Sequence, residues 1–386
     1  MSQFFQHKGD KAIWGVFFLL SLVSLVLVYS ASSYIAVKQY GGDNFRFLLK
    51  QIAIIGVGYI VMLVFSKIRY NHYQWLSKLG IFFVIPVLAI TLILGTNINN
   101  ASRWLTIPFI NISFQSSDFA KIVLLAYLAR TLSKLDGKYL QNQSPVYYIS
   151  LAIFLPSIII ATIIMVSNLS TALLVFASAF VMMWLGNVKW KYLGSLIALG
   201  LLGAMMAFIV AKSNPNLLPR FDTWVSRIEN FGGQDRDANY QVTQAKIAIA
   251  SNPLIGSLPG KSSQRAFLPS AHADFIYAIV IEEYGTIIGF GFIFIYLILF
   301  WRAMVIAKKS TTKFGALLAM GLMFSIVLQA LVNIGVAVNL LPVTGQPLPL
   351  ISLGGTSFIF TSMALGIVQS VSIGLKTDRE ILEEVV

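Results

Sequence analysis

Residues 13–29, I-W-G-V-F-F-L-L-S-L-V-S-L-V-L-V-Y, hold no charged side chain. A helix closes its own backbone hydrogen bonds, and about 20 apolar residues of helix cross the roughly 30 Å hydrocarbon core of a bilayer. Stretches of this kind recur near residues 12–37, 47–66, 77–96, 118–134, 147–167, 171–187, 191–211, 274–302, 314–338 and 357–375. The pattern predicts an all-α polytopic membrane protein of about ten transmembrane helices, with one large polar loop, 212–273, between the seventh and eighth. Composition agrees: 57% of residues are hydrophobic and 11% charged, against about 25% charged in soluble domains, which excludes a water-soluble globule. The absence of Cys excludes disulfides, thiol nucleophiles and thiolate metal sites, and His7, His72 and His272 are too scattered to suggest a metal centre.

Basic residues fix the orientation. With the N-terminus inside, the inner segments hold Lys8 and Lys11, then Lys67, Arg69 and Lys78, then Arg130, Lys134 and Lys138, then Lys189 and Lys191, then Arg302, Lys308, Lys309 and Lys313, and finally Lys376 and Arg379. The opposite short loops hold only Lys38, Arg46, Lys50 and Arg103. The bias in short loops decides, so both termini are expected in the cytoplasm and 212–273 outside. The net charge of +13 is thus mostly topology and needs no nucleic acid as partner. The first apolar run exceeds the 7–15 residues of a signal-peptide core, so it is read as a retained helix.

Polar and Gly/Pro-rich residues collect on the outer side, in 97–121, 212–285 and 333–357, as if around one outward cavity, since irregular backbone at membrane depth needs protein or water beside it. In the first segment Ser117 reads as a helix N-cap. Asp118 and Lys121 share a face and read as a pair closing the helix end, while Lys121 reads equally as an anion-binding group within an apolar helix. Arg103 beside Trp104 is an interfacial anchor or a phosphate donor. In the long loop, D-A-N-Y-Q-V-T-Q-A-K-I-A-I-A reads as a short interfacial helix with Val242, Ala245 and Ile249 on its apolar side. The uncharged segment 332–357 has three prolines and a glycine-rich end and reads as a re-entrant turn. Backbone N–H groups near Gly354 to Ser357 there face an oxyanion or simply close the turn. The eighth helix, read from residue 274, carries Asp274 at its mouth and Glu282 on the same face about 12 Å deeper, too far for a carboxylate pair, so one carboxylate acts alone. Glu282 and Glu283 are read as bonding neighbouring helices, and Gly285 with Gly289 as a close-packing step.

L-P-L-I-S-L-G-G-T-S at 348–357, N-I-G-V at 333–336, L-P-S-A-H-A-D-F-I-Y-A through E-E-Y-G at 268–285, R-W-L with F-Q-S-S-D-F-A-K at 103–121, and Y-Q with G-S-L-P-G-K-S at 240–262 resemble the SEDS family (shape, elongation, division and sporulation), which includes RodA and FtsW. The likeness covers nearly the whole chain. It departs where the family usually has Pro and Glu at Ser116 and Asp118, often Glu at Ser270, and Asp in Q-P-D-L-G-T-A, here V-S-N-L-S-T-A with Asn168.

The resemblance implies a peptidoglycan glycosyltransferase of the bacterial cytoplasmic (inner) membrane that polymerises lipid II, with undecaprenyl diphosphate as leaving group. It implies Asp274 as the catalytic base. It also implies a substrate-binding set of Arg103, Lys121, Arg220, Gln241, Lys246, His272, Asn333, Ser352, Gly354, Gly355 and Thr356, with Asp118, Glu282, Glu283, Gly285 and Gly289 structural. A class B penicillin-binding transpeptidase is the implied partner, alongside other membrane proteins of the division or elongation machinery. No resident cofactor is implied beyond a divalent cation, Mg or Mn, accompanying the diphosphate. V-S-N-L-S-T-A and I-E-E-Y-G lean toward the division type represented by FtsW. The rival readings are a lipid II flippase, which needs charges such as Lys121 and Glu282 down the membrane depth, and a non-catalytic scaffold that recruits a transpeptidase.

Overall fold

A computed structural model describes residues 9–32, 43–98, 101–107, 112–135, 148–213, 225, 240–251, 254–268 and 271–384. Each of the ten apolar stretches holds a helix among its described residues: α1 (Lys11–Ala31), α2 (Phe45–Lys67), α3 (His72–Leu94), α4 (Ser116–Ser133), α5 (Leu155–Ser167, entered through a π-helical turn, Ile149–Phe154), α6 (Leu169–Leu185), α7 (Trp190–Ser213), α9 (Ile276–Lys309), α10 (Lys313–Ala337) and α11 (Gly355–Glu384). Among the described residues seven helical segments are long and apolar enough to cross a bilayer, α6 and Trp190–Gly203 are apolar but shorter, and α4 carries Asp118, Lys121 and Arg130 within its 18 residues. The chain is a multi-pass membrane protein. Apolar side chains left exposed, such as Phe82 and Phe83 on α3 and Ile287, Phe290 and Phe294 on α9, suit hydrocarbon.

The polar stretch before α4 holds a feature the apolar pattern did not reveal, a three-stranded antiparallel sheet of β1 (Thr96–Ile98), β2 (Ala101–Ile107) and β3 (Ile112–Gln115) in the order β1-β2-β3. Trp104 pairs with Gln115, Leu105 with Phe114 and Thr106 with Ser113, and the Thr106 and Ser113 hydroxyls meet at 2.8 Å. The sheet leads straight into α4. Gln115 therefore holds the cap position and Ser117 lies inside the first turn, where its hydroxyl accepts a bond from Gln115 Nε2 at 2.9 Å, so Ser117 is not the N-cap.

The described residues form two compact units. One comprises residues 69–226, 304–325 and 374–386. In it α4 is buried on almost every side, from Ala120 to Leu132, and packs on α3 where a Cβ at Gly80 would fall within 3.0 Å of Val123. The helix from 149 breaks at Asn168, whose extended backbone (φ −155°, ψ 93°) starts α6 and whose Oδ1 accepts the Thr171 N–H. Asn168 thus serves as the N-cap of α6.

The other unit comprises residues 1–68, 227–303 and 326–373. Asp10 caps α1 by accepting from the Ala12 and Ile13 N–H groups, pairs with Arg302, and exchanges two backbone hydrogen bonds with the Gln369 carboxamide at 2.7 and 2.8 Å. The expected amphipathic helix is present as α8 (Tyr240–Ser251). Its Val242, Ala245, Ala248 and Ile249 pack with Leu268, Ala271, Phe275, Ala278, Ile279 and Val336, one apolar cluster under the turn that leads into α9.

Candidate functional site

Prolines 342, 347 and 349 keep 338–354 from continuing α10, and positive φ at Gly345 (69°) and Leu350 (63°) turns the chain back. A loop of this kind leaves backbone carbonyls without helical partners, and buried ones must be satisfied. Polar side chains of the surrounding helices do so. Gln329 Nε2 donates to Pro347 O at 3.0 Å, the Tyr296 hydroxyl to Pro349 O at 2.6 Å, and the Ser24 hydroxyl to Ile351 O at 2.7 Å. Ser24 in turn accepts from Gln51 Nε2 at 2.7 Å.

Against this loop lies the turn 271–275. Three successive carbonyls of the turn are each held by a separate donor: His272 O by the Leu353 N–H at 2.9 Å, Ala273 O by the Ser352 hydroxyl at 2.6 Å, and Asp274 O by Asn333 Nδ2 at 2.8 Å. The same Nδ2 donates to Gln346 O at 2.7 Å, and Ser352 Oγ also accepts the Leu348 N–H at 2.8 Å. The Asp274 side chain is half-buried beside Gly345, where a Cβ would sit 3.5 Å from Oδ2. Burial, and then the charge of Lys50, holds the His272 imidazole down to about 4, so it is neutral at physiological pH. Lys50 stands beside Gln51 near the start of α2 rather than in a loop.

Several expectations change here. α9 begins at Ile276, so Asp274 stands on a turn, and helical spacing does not relate it to Glu282. Glu282 does not bond a neighbouring helix: it accepts from the Ser262 hydroxyl, the Ser263 N–H at 2.8 Å and hydroxyl at 3.0 Å, and the Gln264 N–H at 3.1 Å, pinning the loop onto α9. Glu283 does join a helix, through the Ser30 hydroxyl of α1. Gly285 is no packing step within a helix. Its φ of 81° and ψ of 166° break α9, and a Cβ there would fall within 3.0 Å of the Leu254 and Ile255 backbone. Gly256 approaches the Glu283 backbone as closely, and the carbonyls freed by the break take the Ser257 and Leu258 N–H groups at 2.9 and 3.0 Å. Gly289 keeps a packing role, close against Ile281 and Tyr277.

Of the expected binding residues, Asn333 and Ser352 are buried and their donors are engaged by backbone, so they position the turn. The Gly354 N–H donates to Ser352 O at 2.8 Å and the Ser357 N–H to Gly354 O at 2.6 Å, a closed turn rather than an oxyanion site at those two groups. Gly355 opens α11 and Thr356 is buried in its first turn. Gln241 is partly exposed and Lys246 exposed on α8. Asp118 and Lys121 belong to the other unit, where Asp118 is buried and close enough to Lys121 to act on its charge. The backbone of Arg103 lies in β2, but its side chain and all of Arg220 lie outside the described residues, as does Ser270. Among the described residues no three of His, Asp and Glu come together as a candidate metal site.

A family model described as cell cycle protein, covering FtsW, RodA and SpoVE, matches residues 10–377. A probable peptidoglycan glycosyltransferase FtsW of Geobacter sp. (strain M18) is 32% identical over 362 residues, 92% of this chain and 94% of that protein. The peptidoglycan glycosyltransferase MrdB of Escherichia coli (strain K12) is 31% identical over 369 residues, 94% of each. Stage V sporulation protein E of Bacillus subtilis (strain 168) is 30% identical over 357 residues, 92% and 94%. The rod shape determining protein RodA of Thermus thermophilus has a similar fold, with a TM-score of 0.67 at 22% identity over 95% of this chain and 97% of that one. A chain solved in a study of a peptidoglycan synthase complex that coordinates polymerization and crosslinking is similar at a TM-score of 0.72 and 24% identity, over 95% and 98%.

Proposed function

We infer that this chain, which belongs to the FtsW/RodA/SpoVE family, is a peptidoglycan glycosyltransferase that polymerises lipid II at the outer face of the bacterial cytoplasmic membrane. Both termini are cytoplasmic in this reading, which rests on the distribution of Lys and Arg in the short loops. The observation that carries the mechanism is the grip on the carbonyls of His272, Ala273 and Asp274, which leaves the Asp274 carboxylate half-buried beside a glycine. Asp274 acts as general base. It takes the proton of the acceptor sugar 4-hydroxyl as that oxygen bonds to the anomeric carbon of the donor, while the bond from that carbon to the diphosphate of the leaving lipid breaks. A held carboxylate in a partly dry site is a stronger base than one in water.

His272, two residues before the base in sequence, is neutral, and Lys50 supplies positive charge on the same unit. A Mg or Mn ion would arrive with the diphosphate. Glu282 is engaged by residues 262–264, which removes one of the two charges on which a flippase pathway rested.

The partner proposed is a class B penicillin-binding transpeptidase, a reading supported by the fold shared with a chain from a synthase complex. Identities of 32, 31 and 30% to FtsW, MrdB and the sporulation protein do not choose between division and elongation. The test is to incubate purified protein, alone and with its partner, with lipid II and to resolve the glycan by gel. Polymer from wild type and none from Asp274→Ala supports the enzyme; equal polymer from both removes the mechanism, and none from wild type in either condition removes the activity.

A further inference from the structure

We propose that Asn333 is a positioning residue for glycosyl transfer, acting through the main chain of Asp274 rather than on substrate; this rests on Asp274 being the base. Asn333 lies near the end of α10 and is 1% exposed. Its amide nitrogen has two hydrogens, and they go to Asp274 O at 2.8 Å and Gln346 O at 2.7 Å. Gln346 directly follows Gly345, the residue that faces Asp274 Oδ2. A single carboxamide therefore fixes both walls of the space in which the carboxylate sits: the residue that bears it and the neighbour of the residue opposite.

The residue type follows from this arrangement. A pair of carbonyl oxygens needs two donors on one atom, which an amide nitrogen supplies and a carboxylate, with acceptors only, does not. Flipping the amide would set oxygen against both carbonyls, so the network fixes its orientation. Asn333 Oδ1, buried and without a hydrogen-bond partner among the described residues, is the cost of that choice. Ser352 and the Leu353 N–H hold the two preceding carbonyls, whereas Asn333 holds the peptide of Asp274 itself. A base must stand within about 2.6–3.2 Å of the proton it takes, and a shift of about 1 Å can cost a factor of ~100 in rate.

The experiment measures kcat and KM for lipid II polymerisation by the full-length protein with its partner present. It compares wild type, Asn333→Ala, Asn333→Asp, Asp274→Asn and the double variant Asp274→Asn/Asn333→Ala, with thermal unfolding used to normalise for folded protein. The expected result is a kcat lower by about 10- to 100-fold with KM within about twofold in Asn333→Ala, the signature of lost transition-state alignment. Asn333→Asp should fall as far despite its matching shape, and the double variant should be no slower than Asp274→Asn alone. Unchanged kcat in Asn333→Ala beside an inactive Asp274→Asn overturns the proposal, and so does a raised KM with kcat intact, which would make Asn333 a substrate ligand. Full activity in Asp274→Asn would instead remove the base assignment beneath it. If Asn333→Ala does not accumulate, Asn333→Ser, able to hold one carbonyl, gives the same test: kcat reduced about tenfold supports the proposal and wild-type kcat overturns it.

Discussion

Replacing Glu282 tests whether this carboxylate holds the outer loop to α9. Oε1 accepts the Ser263 N–H, the Ser263 hydroxyl and the Gln264 N–H at 2.8, 3.0 and 3.1 Å, and Oε2 accepts the Ser262 hydroxyl; the residue is 1% exposed. Hydrogen bonds to a charged group contribute about 1.5–3 kcal/mol and neutral ones about 0.5–1.5. Glu282→Gln keeps an acceptor toward Ser263 and Gln264 but removes the charge, about 1 kcal/mol at each of the bonds on Oε1, or roughly 3 kcal/mol together. Glu282→Ala leaves the two amides without their partner and costs about 4 kcal/mol. Since ~1.4 kcal/mol is a factor of ten, the Gln variant should open the loop about 100-fold more often. Amide hydrogen exchange read by mass spectrometry on a peptide spanning 262–264 measures this directly. Faster exchange confined to that peptide and its neighbours on the loop is expected. Unchanged protection there in Glu282→Gln and Glu282→Ala would refute the clamp.

Gly285→Ala should lower the yield of folded protein and its unfolding temperature sharply, because a Cβ would meet backbone within 3.0 Å at a φ of 81°; a Tm equal to wild type would refute the close approach. Asp10→Ala strips Arg302 of its partner and α1 of its cap. It should cost about 3 kcal/mol, seen as a lower Tm that Asp10→Asn only partly restores. The depressed His272 pKa of about 4 means the unfolded chain, near 6.5, binds the proton more readily. Its contribution to stability is therefore full above about pH 6.5 and lost progressively as the pH falls to about 4. Unfolding temperatures across that range should show the loss in wild type and a shallower one in His272→Gln.

The helices were legible because a predominantly apolar run of about 20 residues has few other fates, and α8 because Val242, Ala245 and Ile249 repeat at helical spacing and pack where that spacing put them. The sheet was not read, although R-W-L-T-I and I-S-F-Q flank P-F-I-N in a manner consistent with a hairpin. Short strands give a weak signal beside long apolar helices. Gly285 was misread because G-x-x-x-G looks the same whether the first glycine packs a helix or breaks it, and only its φ distinguishes the two. The Asp10 cap was available as Asp immediately before an apolar run, but its link to Arg302 and Gln369 spans almost the whole chain. The same holds at the site. Asp274 stood out as a carboxylate at a membrane boundary, whereas the engagement of Asn333 and Ser352 by backbone depends on residues far apart in sequence, and the partners of Glu282 lie 18–20 residues back in the loop.

The Asp274 carboxylate is proposed to remove the proton from the attacking sugar. The most direct measurement is single-turnover glycosyl transfer from lipid II by Asp274→Asn, with lipid II binding measured on the same preparation. Retained binding with a transfer rate lower by about 100-fold or more is expected. Retained binding with transfer at the wild-type rate would contradict it.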